Sequence, residues 1–564
     1  MSPSGKSWQQ ISRNEIKLMT NQICTEVTTI GDLLVRATAS HPDRAAIVFP
    51  DERASYAELY ASAQQVARGL LALGVQPGQN IGLFLPNGLE FLHAFFGISL
   101  IGCVVVPLNT RHKATELGYI IKDAYLVAII TSGRDTEYVD LPAILDDALP
   151  SLRHHATPFA APLAIAEAPR LRHVIDLGGP ARPGMMDQAS FLPWTDRASV
   201  QQVEDARRQT RIRDTALIMY TSGTTANPKG CMLSHEAVTR GPVERARYRL
   251  KSPDKDVTWA AGPLFHIGSL APFIGSLGVA GTFLADRFFD PERAIRLLEE
   301  NEVTLAWPWF SAIVQGIIDH PRFDPTRLSK LRYFFLIAPE TLVRRVQALL
   351  PNTEILQACG MTETGGVFAL SLPDDDADTR AITQGKAAPG VGIRIVDAET
   401  GLDCADGKMG EIWVRGFCVM DGYYNHPELT VDTIDADGWL HTGDLYSRSA
   451  TGDLLFQGRL KDMLKVGGEN VATMELEAFL CSHPDVKLAE VVGKADPRLD
   501  EVPVAFVELR EGATLLSDEL IGFCRGKIAS YKIPREVYFM QAHEWPMSAT
   551  KVNKRALRTM LSEG

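Results

Sequence analysis

Apolar and polar positions along the chain predict strands and helices in alternation. Residues 81–85 and 103–107 are short apolar runs typical of buried strands, and residues 88–101 between them have the length of a helix. Upstream, Ser55 and Glu58 have the spacing of a capping box at the start of another helix. Strands that alternate with helices in this way predict α/β layers built on largely parallel sheets.

The pattern changes along the rest of the chain. From about residue 131 to 210 it weakens and predicts an irregular connection. Around 370–460, short alternating runs with frequent glycine predict a β-rich subdomain, which a compact α+β region follows. We therefore expect an N-terminal domain over residues 28–458, with two parallel-rich α/β subdomains and the β-rich one, and a small C-terminal α+β domain over residues 459–564.

Composition and charge narrow the functional classes. The 564 residues are 45% hydrophobic and 22% charged, as in globular proteins of more than one domain. The formal net charge of −12 argues against a nucleic-acid-binding surface, so an anionic substrate must be met by a local cluster of donors. The eight cysteines include no CxxC pair, which argues against a zinc site or a disulfide framework and favours a cytoplasmic protein.

Two segments bear on localisation, namely the N-terminus and the most apolar stretch of the chain. The polar N-terminus lacks the apolar region of a signal peptide, so none is expected. Residues 91–108 are the most apolar stretch, but His93 and Pro107 interrupt it. This stretch predicts a buried helix followed by a strand, and no membrane-spanning segment is expected.

The strongest chemical signal is the segment 220–230 (YTSGTTANPKG), which directly follows a predicted strand at 214–220. Small residues let backbone N–H groups approach an anion, hydroxyls add donors, and a lysine brings a positive charge. Pro228 and Gly230 exclude a Walker A loop. A surface turn is the alternative, but a hydroxyl-rich run that ends in lysine is rare after an apolar strand. The predicted phosphate contacts are Thr221, Ser222, Gly223, Thr224, Thr225 and Lys229.

This segment resembles the phosphate-binding loop of the AMP-forming adenylating superfamily, which includes acyl- and aryl-CoA synthetases, firefly luciferase and nonribosomal-peptide adenylation domains. The resemblance extends over nearly the whole chain, because five further segments follow in the family's order. They are 357–364 (QACGMTET), 438–444 (GWLHTGD), 458–470 (GRLKDMLKVGGEN), 530–534 (SYKIP) and 546–551 (PMSATK). Such an ordered series is not expected by chance, and the chain is most similar to the acyl-CoA synthetases.

The resemblance implies an ATP-dependent ligase. Such an enzyme adenylates a carboxylic acid, releases pyrophosphate and passes the acyl group to coenzyme A with release of AMP. It implies ATP, Mg²⁺ and coenzyme A as cofactors, a small carboxylic acid as substrate, and a homodimer as one candidate assembly. A carrier-protein acceptor, a luciferase-like oxygenase and a non-catalytic nucleotide-binding relative are the alternatives. The chain contains no recognisable carrier domain, which favours free coenzyme A.

By the resemblance, Lys551 bridges the substrate carboxylate and the phosphate in adenylation, and Thr224 belongs to the catalytic set. Glu363 is the ligand for Mg²⁺, as a hard oxygen donor should be. Asp444 accepts hydrogen bonds from the ribose, with Arg459 beside it. Taken singly, each could be a surface or turn residue. Further nucleotide contacts are implied for Ala338, Pro339, Glu340, Cys359, Gly360, Met361 and Thr362.

The resemblance also implies an acyl pocket and a moving C-terminal domain. His266 is expected beside the forming anhydride, with a buried core histidine as the alternative. Lys461 occupies the hinge, and the glycine pair 467–468 would line the pantetheine channel. Gly467 and Gly468 let a narrow arm pass the backbone closely, although a tight turn explains them equally well. The implied acyl-pocket residues are His266, Trp307, Trp309, Leu336, Ile337 and Gly365.

The chain departs from the family pattern in four places. Ala226 replaces a loop glycine, and Cys359 replaces the aromatic residue that stacks on adenine. The glycine before the final lysine is missing, which leaves Lys554 as a second candidate for Lys551. The segment 334–340 (FFLIAPE) carries bulk where relatives have glycine, which predicts a short, apolar acyl pocket for a compact acid. The alternative is that this bulk packs the core and the acyl tunnel runs elsewhere.

Overall fold

The computed structural model of the chain describes residues 27–134, 139–156, 162–221, 227–252, 255–466, 469–548 and 551–563. Its fold is the predicted mixed α/β type, with large, mainly parallel sheets, smaller antiparallel sheets and a C-terminal α+β region. Within those ranges, no helix is both long and apolar enough to cross a membrane.

One large sheet contains eight strands among the described residues. From one edge to the other these are Gly422–Tyr423, Lys229–Ser234, Thr215–Thr221, Val104–Pro107, Asn80–Phe84, Ala128–Thr131, His173–Asp176 and Met186–Asp187. The strands from Thr215–Thr221 onward are parallel, whereas Lys229–Ser234 is antiparallel to both of its neighbours. Its central strands are buried on both faces, as parallel strands require, which confirms the strands predicted from apolar runs.

The second large sheet has seven strands in the described part of the chain. Their order is Glu354–Leu356, Tyr333–Ile337, Leu305–Phe310, Val257–Ala260, Thr282–Leu284, Ala45–Val48 and Arg53–Ser55. All neighbouring pairs are parallel except the last. The two strands Leu305–Phe310 and Tyr333–Ile337 bring aromatic side chains beside the candidate acyl site.

The helices pack around the large sheets, except the last three, which belong to the C-terminal region. They are Ile30–Ser40, Tyr56–Ala72, Leu89–Leu100, Ala114–Asp123, Leu141–Ala148, Gln188–Thr195, Val200–Gln209, His235–Glu244, Ile267–Gly278, Pro291–Glu300, Ser311–Ile318, Glu340–Leu349, Ala377–Ile382, Pro427–Thr433, Thr473–Cys481, Ser517–Cys524 and Lys554–Glu563. The predicted capping box is present, because Ser55 and Glu58 each accept the other's backbone N–H group.

Smaller sheets follow the second large one. The described residues form a three-stranded sheet from Ala358–Met361, Gly366–Leu370 and Lys386–Ala387, and a four-stranded antiparallel sheet from Val391–Val396, Gly410–Gly416, Leu440–Arg448 and Leu454–Arg459. These sheets confirm the predicted β-rich region. The C-terminal region has a sheet of Glu469–Ala472, Met463–Val466, Asp500–Leu509, Val486–Asp496 and Glu536–Phe539, which encloses its own apolar core.

Candidate active site

A β-hairpin presents the candidate phosphate-binding lysine. Thr221 ends one strand and lies opposite Lys229, the first residue of the antiparallel return strand. The Lys229 ammonium lies 5.1 Å from the centre of the Tyr423 ring. The loop between the strands, with the predicted contacts Ser222, Gly223, Thr224 and Thr225 and the substitution Ala226, lies outside the described residues. The hairpin therefore fixes where this loop begins and ends, at the carboxyl edge of a buried parallel strand.

Glu363 contacts the same tyrosine through its hydroxyl group. The Tyr423 hydroxyl donates a hydrogen bond to Glu363 Oε1 at 3.1 Å. Desolvation raises the pKa of Glu363, and the nearby charge of Asp444 raises it further, while the bond from Tyr423 opposes the shift. Tyr423 thus joins the loop lysine and the carboxylate in one array. Sequence reasoning missed Tyr423, because a tyrosine in a two-residue strand carries no motif.

A charged pair marks the predicted ribose site. Asp444 and Arg459 are cross-strand neighbours in the four-stranded sheet, and Arg459 Nε lies 3.0 Å from Asp444 Oδ1. Beside them, Glu411 Oε1 accepts the backbone N–H of Gly443 at 2.7 Å, which holds the turn before Asp444. Asp444 and Arg459 are fifteen residues apart in the sequence, and antiparallel pairing brings them together.

Cys359 does not replace the missing aromatic residue as a surface for adenine. Its side chain is 1% exposed and packs with Phe368, Ile395 and Tyr446 in the core of the β-rich region. Burial raises the pKa of its thiol to about 12, which makes it a neutral core residue. Any contact of Cys359 with a nucleotide therefore comes from its main chain. The other residues of the predicted adenine segments, Gly360, Met361, Thr362, Ala338, Pro339 and Glu340, are exposed or half-buried.

On the acyl side, an aromatic group packs beside the helix Ile267–Gly278. His266 precedes this helix and is exposed, which excludes a buried core histidine. Trp309 Nε1 donates to the Gly268 carbonyl at 2.5 Å, and the Trp309 and Trp307 rings lie 5.1 Å apart. Trp307 stacks on Phe335 with centroids 3.4 Å apart. Gly365, also predicted here, has φ +56, and an added Cβ would lie 2.7 Å from a backbone carbonyl oxygen.

The predicted role of Leu336 in narrowing the acyl pocket stays a prediction, and the strand Tyr333–Ile337 places Leu336 away from the aromatic group. Successive side chains of a strand point to opposite faces. Phe335 faces the core cluster that contains Trp307, whereas Leu336, 0% exposed, packs in the separate cluster with Val343. Ile337 ends the strand at 39% exposure. Phe335 is therefore the residue of this segment that contacts the aromatic group.

The predicted hinge lies between two ion pairs, one with the β-rich region and one with the C-terminal region. Arg459 pairs with Asp444 of the β-rich region, whereas Asp462 Oδ1 accepts from Arg558 of the C-terminal helix at 2.9 Å. Lys461 lies between them in a short 3-10 turn and is exposed. Gly467 and Gly468 lie outside the described residues.

The two candidate catalytic lysines have different environments. Lys551 begins a short strand that pairs with Met547–Ser548, and its side chain is outside the described residues. Lys554 is held inside the C-terminal region, because its ammonium lies 2.5 Å from Glu477, 3.0 Å from Thr473 and 3.5 Å from Glu490. Lys554 is therefore a structural residue, which corrects its standing as a second candidate for Lys551.

Comparisons with known proteins identify the family to which this chain is similar. The sequence profile of the AMP-binding enzymes matches residues 34–424, and the profile of the AMP-binding enzyme C-terminal domain matches residues 475–551. YngI of Bacillus subtilis (strain 168), which carries the name of an acyl-CoA synthetase, is 34% identical over 94% of this chain and 96% of its own length.

A second relative and a solved structure extend the comparison. A Rhodococcus jostii (strain RHA1) ligase, 3-[(3aS,4S,7aS)-7a-methyl-1,5-dioxo-octahydro-1H-inden-4-yl]propanoyl:CoA ligase, is 32% identical over 94% of this chain and 98% of its own. The structure of the anthranilate CoA ligase AuaEII with anthranoyl-AMP superposes with a TM-score of 0.80 at 25% identity, covering 95% of this chain and 98% of that one.

Proposed function

Since the chain belongs to the AMP-binding enzyme family, we propose roles for its site residues and a class of acid for its pocket. The chain is an acid–thiol ligase of the acyl-CoA synthetase type. It uses ATP to adenylate a carboxylic acid, with release of pyrophosphate, and then transfers the acyl group to coenzyme A, with release of AMP. The adenylate is needed because a carboxylate is a poor electrophile at neutral pH.

The array of Lys229, Tyr423 and Glu363 beside the Asp444–Arg459 pair carries the proposal for ATP. Adenylation brings two anions together, so catalysis of this step consists mainly of charge neutralisation and positioning. Lys229 holds the phosphates together with the hydroxyl-rich loop, and Asp444 orients the ribose. Lys551 bridges the substrate carboxylate and the α-phosphate. The other candidate, Lys554, forms ion pairs with Glu477 and Glu490 instead.

Glu363 fits a magnesium ion that the nucleotide brings with it. Mg²⁺ prefers a few carboxylate oxygens together with phosphate oxygens and water. Desolvation raises the pKa of Glu363, so a neighbouring cation would stabilise its charged form. No cluster of three or more metal-ligating side chains occurs in the described ranges. When bound, the ion neutralises phosphate charge.

Transfer to coenzyme A follows a swing of the C-terminal domain. Asp462 is tied to Arg558 of the C-terminal helix and Arg459 to Asp444 of the β-rich region, so the backbone around Lys461 is where rotation can occur. We propose domain boundaries at residues 28–458 and 459–564. The swing withdraws Lys551 and brings the Gly467–Gly468 loop to the pantetheine arm.

The acid is proposed to be compact. Trp307, Trp309 and Phe335 pack on one another beside the helix that follows His266, and this aromatic bulk supports a short or cyclic skeleton over a long straight chain. The Rhodococcus relative is named for a bicyclic propanoate. We expect pyrophosphate exchange across a series of straight-chain acids to be greatest at octanoate or shorter. A maximum at dodecanoate or longer would overturn the proposed acid class.

A further inference from the structure

A β-bulge in the strand Leu440–Arg448 contains Asp444. The neighbouring strand, Gly410–Gly416, sets one residue, Ile412, opposite the three residues 442–444. Bulges interrupt the regular hydrogen-bond ladder, change the direction in which a side chain points, and often lie next to active sites. The bulge therefore determines where the carboxylate of Asp444 lies.

The backbone of the bulge needs support from side chains. Gly443 has φ +70, in the left-handed region, which interrupts the extended backbone of the strand. The Thr442 hydroxyl donates to the Ile412 carbonyl at 2.7 Å and accepts the N–H of Asp444 at 3.1 Å. This hydroxyl thus satisfies backbone groups that the regular ladder would otherwise pair, and it holds the peptide of Asp444 itself.

Glu411 supports the same bulge from the neighbouring strand. It is 9% exposed, and each of its carboxylate oxygens accepts a hydrogen bond. Oε1 accepts the N–H of Gly443 at 2.7 Å, and Oε2 accepts the indole N–H of Trp413 at 2.8 Å. A buried carboxylate is costly unless donors satisfy it, and these two donors fix its position. Glu411 therefore holds the backbone one residue before Asp444.

The Trp413 ring connects Glu411 to the other end of the bulge. It stacks on His441, with ring centres 3.9 Å apart and an angle of 10° between the planes. His441 is the last residue that pairs with the neighbouring strand before the bulge. Contacts at both ends, His441 and Gly443, restrict the freedom of Asp444 before any ligand binds. Such preorganisation lowers the entropy cost of binding.

We propose that Glu411, together with Thr442, is a positioning residue that gives this enzyme its preference for a nucleotide with ribose hydroxyls. This inference rests on the proposed function, because Asp444 meets a ribose only if the chain binds ATP. The Asp444 side chain is 18% exposed beside Arg459, so a ligand can reach it. Hydrogen bonds weaken steeply as their geometry departs from the ideal, so a shifted bulge would weaken the bonds to the ribose and spare the phosphate contacts.

The test compares Mg²⁺-ATP with Mg²⁺-2′,3′-dideoxyATP, which lacks both ribose hydroxyls. Titration calorimetry gives the Kd of each nucleotide for the full-length wild type, Glu411→Met, Glu411→Gln and Thr442→Val. Methionine and glutamine are close to glutamate in size, but only glutamine can accept the N–H of Gly443. Thermal unfolding of each variant checks that it is folded. If Glu411→Met does not fold, Thr442→Val decides.

Two further variants calibrate the ratio of the two Kd values. Asp444→Ala gives the ratio that remains without the ribose carboxylate. Ser447→Ala is the control, because it removes a 3.1 Å hydrogen bond from Gln457 in the same strand, outside the bulge.

We expect the wild type to bind ATP about tenfold or more tightly than the dideoxy analogue, as one hydrogen bond to a charged group would give. Glu411→Met and Thr442→Val should lower this ratio severalfold, towards that of Asp444→Ala, by weakening the binding of ATP and sparing that of the analogue. Glu411→Gln should restore most of the ratio, and Ser447→Ala should preserve it.

The outcomes separate this inference from the proposed function. A ratio that is lost in Asp444→Ala but stays at the wild-type value in Glu411→Met and Thr442→Val overturns the inference alone. Equal weakening of both nucleotides by Glu411→Met and Thr442→Val also overturns it, because a general loss of structure would have that effect. A wild-type ratio near one, or a ratio that survives Asp444→Ala, contradicts the proposed ribose contact and the inference with it.

Discussion

At the scale of single residues, Lys551 and Lys554 are three positions apart and have different roles. We expect Lys551→Ala to reduce adenylation at least about 100-fold, because a positive charge between two anions is lost. The same variant should still form the thioester from a supplied acyl-adenylate and coenzyme A. Both half-reactions are measured separately, by pyrophosphate exchange and by thioester formation.

Lys554→Met is the matched control for this pair of lysines. It removes the cation that Glu477 and Glu490 share, so it should lower the stability of the C-terminal region and leave the ratio of the two half-reactions unchanged. If Lys554→Met abolished adenylation in a folded protein and Lys551→Ala did not, the assignment of the catalytic lysine would be reversed.

Glu363 is expected to act through its charge. Glu363→Gln keeps the shape of the side chain but removes the hard ligand, so adenylation should fall at least about 100-fold and need more Mg²⁺. Tyr423→Phe removes only the 3.1 Å hydrogen bond to Glu363 and should lower the rate less than about tenfold. Magnesium titrations of pyrophosphate exchange measure both. Equal effects of the two substitutions would contradict the role given to the carboxylate.

Several site residues could be predicted from sequence and others could not. The motifs identified Lys229, Glu363 and Asp444, whose positions in the structure are consistent with a shared site. Period-two alternation along 333–337 could have separated Phe335 from Leu336, since neighbouring residues of a strand face opposite sides. Tyr423 gave no signal, because its place beside Lys229 and Glu363 depends on packing between distant elements.

At the scale of secondary structure elements, we expect the half-buried pair Glu477 and Glu490 to make the C-terminal region sensitive to pH. Burial, followed by the charge of Glu477, raises the pKa of Glu490 to about 7. The folded state then binds more protons than the unfolded state between about pH 4.5 and 7, so the stability contributed by Glu490 is lost as pH rises through 7.

Glu490→Gln should remove this loss. As the pH rises from 5 to 8, the wild type should lose stability that the variant keeps. The free energy of unfolding of the variant, measured relative to that of the wild type, should therefore increase by roughly 1–3 kcal/mol over this range. Urea unfolding at several pH values, with hydrogen exchange of C-terminal peptides, measures the difference. The exposed Glu511→Gln is the control. A pH-independent difference for Glu490→Gln would show that Glu490 does not titrate in this range.

Elements with long apolar runs were predictable, and short ones were not. The segment 131–210 was predicted to be irregular, yet it contains the strands His173–Asp176 and Met186–Asp187 and the helices Leu141–Ala148, Gln188–Thr195 and Val200–Gln209. These elements are short, and Pro193 lies inside one of the helices. A pattern over so few residues is weak, and pairing with the neighbouring parallel strands decides the structure.

At the scale of the whole molecule, the two half-reactions should be separable by substitutions on either side of the proposed swing. Gly468→Leu places bulk where the pantetheine arm must pass, so thioester formation should fall at least about tenfold while adenylation is retained. Gly522→Leu is the control, because an added Cβ there meets no atom within 4 Å. If Gly468→Leu and Lys551→Ala lost both half-reactions equally, the proposed swing would be wrong.

The central claim is that this chain couples ATP cleavage to the activation of a carboxylic acid and then to its transfer to a thiol. The most direct measurement is carboxylate-dependent ATP–pyrophosphate exchange with the purified chain across short, branched, aromatic and long-chain acids, followed by addition of coenzyme A. We expect exchange with a subset of compact acids, and stoichiometric AMP and acyl-CoA once coenzyme A is present. ATP binding without exchange for any acid would contradict the account and indicate a non-catalytic nucleotide-binding protein.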